Sequence, residues 1–170
     1  MAKNSGVTVI ELLVTISVLA MLSAIVITYS RSGERQIALL RDQARVINAI
    51  LRSKVLATQT YVTEEEFCGY GIHFSASGDF IIFKDLALDC SLSDQRYSGA
   101  GEEVAVFKLD SNLKFSQLEI SDVLFIPPDP TVIIDGDPNK TGDFLVELDT
   151  ISGGNPKSIK INNFGQVSAQ

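Results

Sequence analysis

Val7 opens a run of twenty-one residues, ending at Ile27, in which apolar side chains dominate and Glu11 is the only charge. About 20 apolar residues at roughly 1.5 Å rise cross the hydrocarbon core of a bilayer, so the run predicts a membrane-spanning helix. A carboxylate at the centre of such a helix costs roughly 2.5–3.5 kcal/mol, which makes Glu11 a candidate functional residue. The pattern then changes without stopping. Ile37, Leu40, Ala44, Ile47, Leu51 and Val55 recur at three- and four-residue steps, the mark of an amphipathic helix. Arg31, Arg35, Arg41, Asp42, Arg45, Asn48 and Arg52 fall largely elsewhere on the wheel. No proline interrupts residues 7–60, and Gly33 is the soft point, costing about 1 kcal/mol relative to alanine. One helix from Val7 to Thr58 would be roughly 78 Å long, its second half expected to pack against a domain.

Beyond Thr60 the chain turns to strands. Gly71–Phe74 and Phe80–Phe83 flank Ser75–Asp79 and predict a hairpin with a glycine-containing loop. Glu103–Leu109 alternates as a further strand, and Leu124–Ile126 ends against prolines 127, 128 and 130. Thr131–Ile134, Phe144–Leu148 and Ser158–Ile161 follow, separated by turns rich in Asp, Asn, Gly and Pro. Helix first and then a meandering antiparallel sheet predicts an α+β fold, the helix covering one sheet face.

The polar leader Met1–Gly6, with Glu11 four residues after Val7, resembles the processing signal of type IV pilins and type II secretion pseudopilins. The match runs from Lys3 to about Ile27 and departs at Val7, where phenylalanine is usual. The resemblance implies cleavage after Gly6 by a prepilin peptidase, N-methylation of Val7, a filament-assembly role for Glu11 and a pilin-like fold. The later order is similar to that of H-type minor pseudopilins, carried by Gly69–Phe74, Phe125–Pro128 and Ile159–Val167. Gln166 stands where a basic residue is customary in those proteins.

Other readings of the apolar run are a cleaved secretory signal and a plain membrane anchor. A secretory core is typically 7–15 residues and Glu11 would interrupt it, while an anchor gives no reason for glycine then glutamate at this spacing. Charge is uneven: eighteen Asp and Glu against seven Lys and Arg from Gln59 onward, but three against six between Val7 and Thr58. An acidic domain argues against direct nucleic-acid capture, which needs positive potential. Lys3 precedes the apolar run and Arg31 and Arg35 follow it, so charge alone does not set topology. The family resemblance implies the leader inside and the domain outside the cytoplasmic membrane.

Cys68 and Cys90 are the only cysteines, and an exported domain meets an oxidising space. A disulfide is the expectation and two thiols the alternative; with one histidine, a zinc tetrad could only be completed by carboxylates. Asp135, Asp137, Asn139 and Asp143 put oxygen ligands at calcium-loop spacing, but Lys140 replaces the loop glycine and Val146 holds the distal acidic position. A solvated Asp-, Asn- and Pro-rich turn is the stronger expectation there, so no metal or cofactor is assigned. His73 alternates with core residues and is expected to be packed, and Glu64–Glu66 to be a solvated turn. No phosphate loop, nucleophile elbow or carboxylate pair points to an enzyme.

The expected organisation is a leader over 1–6, a membrane half-helix over 7–27, an amphipathic half over 28–58 and a β domain over 59–170. The resemblance implies a minor pilin or pseudopilin held in the cytoplasmic membrane and then in a pilus or pseudopilus. Its partners would be other such subunits, prepilin peptidase, the inner-membrane assembly platform and membrane lipid. The alternative is a membrane-anchored extracytoplasmic ligand-binding or sensor domain that does not assemble.

Overall fold

In the computed structural model the chain is described over residues 8–60, 67–87, 89–128 and 131–170. Gly6, Val7 and the Glu64–Glu66 run lie outside these residues. The chain divides into two compact units, one reaching Ile37 and the other spanning Ala38–Gln170. A single helix, α1 (Val9–Thr60), supplies most of the first and opens the second.

In the first unit every side chain from Thr8 to Ile27 is exposed, including Val9, Leu13, Leu19, Met21 and Val26. The stretch Val9–Ile27 is long and apolar enough to span a membrane, at 19 residues or about 28 Å.

In the second unit the described residues form nine strands in two antiparallel sheets, where the sequence pattern predicts one. Sheet A has the order β3-β2-β1-β5-β6, built from β1 (Gly69–Phe74), β2 (Asp79–Asp85), β3 (Glu103–Lys108), β5 (Asp122–Ile126) and β6 (Thr131–Ile134). Sheet B has the order β4-β7-β8-β9, built from β4 (Leu113–Leu118), β7 (Asp143–Thr150), β8 (Lys157–Asn162) and β9 (Val167–Ala169). The single meander fails because β4 and β7 leave sheet A for sheet B while β5 and β6 return to it.

The face α1 turns to the sheets is not the one its apolar spacing predicts. Leu39, Val46, Ala49, Ile50 and Ala57 are buried, interleaved with Asp42, Gln43 and Ser53. Leu40, Ala44, Leu51 and Val55 are exposed. The helix is therefore apolar on two sides. Its docked side carries small residues, which permit close approach, and polar residues, of which Asp42 and Gln43 bond to the β domain. Gln43 Nε2 donates to the carbonyls of Ser158 (2.9 Å) and Gln170 (3.4 Å), which fastens α1 to β8 and the chain end. The helix core residues join Ile72, Phe74, Phe80, Ile82, Val123 and Phe125 of sheet A and Phe115, Val146, Leu148, Ile159 and Ile161 of sheet B in one cluster.

Sheet A is buried on its other face as well, which explains why Phe80–Phe83 and Val123–Phe125 read as unbroken apolar runs. Phe83, Leu124 and Ile133 form a second cluster, with Tyr97 and Ile126 packed against it. Tyr97 belongs to the long connection Leu86–Glu102 between the adjacent strands β2 and β3. Antiparallel neighbours commonly need only two to five linking residues. The connection here is longer and brings Tyr97 over that face instead. Beneath it, Gly71 faces Phe83 across the β1–β2 ladder. A Cβ on Gly71 would lie 2.5 Å from the Phe83 ring and 2.6 Å from the Val123 carbonyl, so only glycine fits.

Candidate functional site

The apolar segment of α1 starts from a capping arrangement. Thr8 precedes the helix, and its Oγ1 accepts the backbone N–H of Glu11 at 3.3 Å. Glu11 Oε2 stands 3.5 Å from the same hydroxyl. Thr8-x-x-Glu11 is thus a capping-box spacing, a signal the apolar run concealed, and a carboxylate in the first turn also suits the positive end of the helix dipole. The hydroxyls further along are turned inward on the helix itself. Thr15 Oγ1 donates to Leu12 O at 2.9 Å, Ser17 Oγ to Leu13 O at 2.8 Å and Ser23 Oγ to Leu19 O at 2.8 Å. Such back-bonding satisfies polar groups without water, as an apolar surrounding requires. Glu11 remains the one charged side chain on the exposed apolar cylinder Val9–Ile27.

Cys68 and Cys90 are joined in a disulfide, with Cα atoms 5.2 Å apart. Cys68 lies just before β1 and its N–H donates to Asp85 O at 2.9 Å, so the bond ties the start of the long β2–β3 connection to the sheet. Further along, Ser93 Oγ donates to Asp85 and the Tyr97 N–H to Asp122 Oδ1 at 3.3 Å. Burial pushes the Asp85 carboxyl up; the Ser93 hydroxyl opposes this and the nearby Asp94 charge adds to it.

His73 is half-buried on the outer face of sheet A. Its Nδ1 lies 2.9 Å from Asp122 Oδ1, and its ring packs on Tyr97 with centroids 4.9 Å apart. The Tyr97 hydroxyl donates to Glu103, and that bond with the adjoining burial and negative charges raises the phenol to about 12. These contacts anchor the connection.

The oxygen ligands proposed from calcium-loop spacing are occupied separately. Asp135 Oδ1 accepts the N–H groups of Ser121 (2.8 Å) and Asp122 (2.9 Å), while Oδ2 pairs with the Lys140 ammonium. Burial raises the Asp135 carboxyl, but the lysine and the two amides outweigh it and hold the group below its usual range. Asp137 Oδ1 accepts the Asn139 N–H at 2.8 Å, and Asp143 pairs with Lys160 at 2.8 Å. Among the described residues no group of three His, Cys, Asp or Glu side chains is arranged to hold a metal.

No protein-family model, curated protein or solved structure matches this chain.

Proposed function

We propose that this chain is a structural subunit of a type IV pilus or type II secretion pseudopilus, made with a leader that prepilin peptidase removes. The observation that carries the reading is the nineteen-residue apolar cylinder, exposed on all sides and bearing one carboxylate near its start. Leaving it in water would forfeit about 25 cal/mol for each Å² of apolar surface, so the segment needs lipid or other helices around it. Lipid serves before assembly and neighbouring subunits after it. The Gly6–Val7 junction supports the same reading through its resemblance to the pilin signal. Removal of Met1–Gly6 creates a new amine four residues before Glu11. In a bundle of such helices, the amine of a displaced neighbour offers Glu11 a partner, and the pair offsets the burial cost.

A membrane-anchored sensor domain is the second reading, and Thr8-x-x-Glu11 favours it by placing the Glu11 carboxylate 3.5 Å from the Thr8 hydroxyl, a local partner at the helix start. Intact-mass measurement on protein recovered from its host separates the two. A subunit loses Met1–Gly6 and gains one methyl group at Val7, whereas an anchored sensor keeps its first six residues. Gly6→Arg is expected to leave the leader attached, and an uncut wild-type chain in cells that contain the peptidase rejects the subunit reading.

A further inference from the structure

We propose that a cleft between α1 and β3 receives the Asp89–Asp94 turn of a second copy of this chain, forming a head-to-tail contact. The proposal rests on the filament reading above and names the surfaces through which the domains meet. Arg45, Asn48, Ala49 and Arg52 of α1 and Phe107 of β3 line the cleft, whose volume is about 180 Å³. Ala49 is buried and Phe107 half-buried, so the floor is apolar, and the exposed Arg45 and Arg52 give it a cationic rim. Arg45 is held in place by its own chain. Its Nη1 donates to Asp42 Oδ1 at 3.0 Å and to Lys108 O at 3.2 Å, and its guanidinium lies 6.0 Å from the centre of the Phe80 ring. β3 is the last strand of its sheet, so the cleft opens sideways.

Leu92 has the shape and setting of the complementary knob. At 83% it is the most exposed large apolar side chain among the described residues, and it does not line the cleft of its own chain. An apolar cavity of about 150 Å³ holds a benzene-sized group, so this cleft admits a leucine side chain. The turn is also fixed in advance. Leu92 N–H donates to Asp89 O at 2.9 Å, Ser91 N–H and Oγ both donate to Asp89 Oδ1, and Cys90 is held by the disulfide. Little order remains to be imposed on binding. The Ser91 bonds hold the Asp89 carboxyl below its usual range, so it stays charged. Asp89 and Asp94 flank Leu92 with negative charge, matching the Arg45 and Arg52 rim around the apolar floor. Knob and cleft are different surfaces of one chain. Each contact therefore leaves an unused cleft at one end and an unused turn at the other, and the arrangement propagates into a line of copies.

The test uses the full-length chain in its own membrane, with the exposed Asn48 replaced by the photo-crosslinker benzoylphenylalanine and two isotopically labelled pools of protein mixed. Crosslinks between copies are expected to join position 48 to the Asp89–Arg96 segment. Leu92→Lys is expected to lower that yield at least tenfold, and adding Arg52→Glu to the cleft-bearing copy to restore it. Because Leu92 is so exposed, Leu92→Lys is expected to leave the thermal transition in place. Crosslinks confined to one copy, mapping to another surface, captured by a different protein, or indifferent to Leu92→Lys overturn the contact. Leader removal and recovery in sheared filaments are scored on the same samples. If they persist without the crosslink, the contact alone fails; if they are missing while the crosslink forms, the filament reading fails.

Discussion

Asp42, fully buried on α1, accepts the backbone N–H of Asp110 at 2.6 Å through Oδ2. Its Oδ1 faces Arg41 Nε at 3.3 Å and Arg45 Nη1 at 3.0 Å. One carboxylate thus joins the helix to the connection where the chain leaves sheet A for sheet B. A buried acid is stable when its lone pairs are filled, and these three donors, drawn from both helix and loop, fill them.

Asp42→Ala is expected to destabilise the domain by about 1–3 kcal/mol, because the Asp110 amide and two guanidinium groups lose their acceptor together. Asp42→Asn should cost less, since its carbonyl oxygen still accepts one bond. Denaturant titration of both variants checks the order.

Reduction of the Cys68–Cys90 bond is expected to lower stability by roughly 3 kcal/mol in the chain-entropy picture, for a sequence separation of 22. Thermal melts with and without reductant measure it. Two thiols that alkylate rapidly in the native protein would contradict the bond.

Asp85 sets a pH dependence. Its folded carboxyl is pushed up by burial, so folding favours its protonated form. Its stabilising contribution is complete below the unfolded value, about 3.9, and is lost as pH rises through the raised folded value. Asp85→Asn, which still accepts from Ser93, should therefore be more stable than the parent at pH 7. The advantage should fade as pH falls from the raised folded value toward about 3.9 and be gone below it. Melting curves at several pH values decide the sign.

On the subunit reading proposed above, Glu11→Val should leave insertion and leader removal intact, since it makes the helix more apolar and leaves Gly6 unchanged. Helix initiation should also survive, because Thr8 caps the backbone N–H of residue 11 rather than its side chain. Assembly should fall, since breaking a buried charge pair costs roughly 3–5 kcal/mol. Glu11→Gln should be milder. The fraction of protein in sheared filaments against that left in the membrane gives the readout, and parity of Glu11→Val with the parent would remove the pairing role.

Strands with dense β-branched and aromatic patterns were legible, among them β1, β2, β5, β6, β7 and β8. β4 was not, because Leu113 and Phe115 are followed by a register shift before Gln117, so its alternation lasts only three residues. The docked face of α1 was hidden for a different reason. Asp42, Gln43 and Ser53 interrupt its apolar spacing, and the partners of the first two at Asp110 and Ser158 are remote in sequence. The stronger spacing, Leu40 to Val55, marks the exposed side. Of the candidate site, the apolar segment and the Cys68–Cys90 pair could be read directly, whereas the cleft beside β3 requires knowing which helix face meets the sheet. The two-sheet division depends on pairings such as Tyr70 with Phe125, which no local pattern specifies.

The chain passes between the sheets three times, from β3 to β4, from β4 to β5 and from β6 to β7. No single cut can therefore separate sheet A from sheet B. Cleavage after β3 leaves β5 and β6 of sheet A on the far fragment, and cleavage after β6 leaves β4 of sheet B on the near one. A protease nick in a surface turn would leave fragments still clasped by their shared ladders. For the same reason, half of this domain cannot be grafted elsewhere or shed as a module: it can be exchanged between proteins only whole.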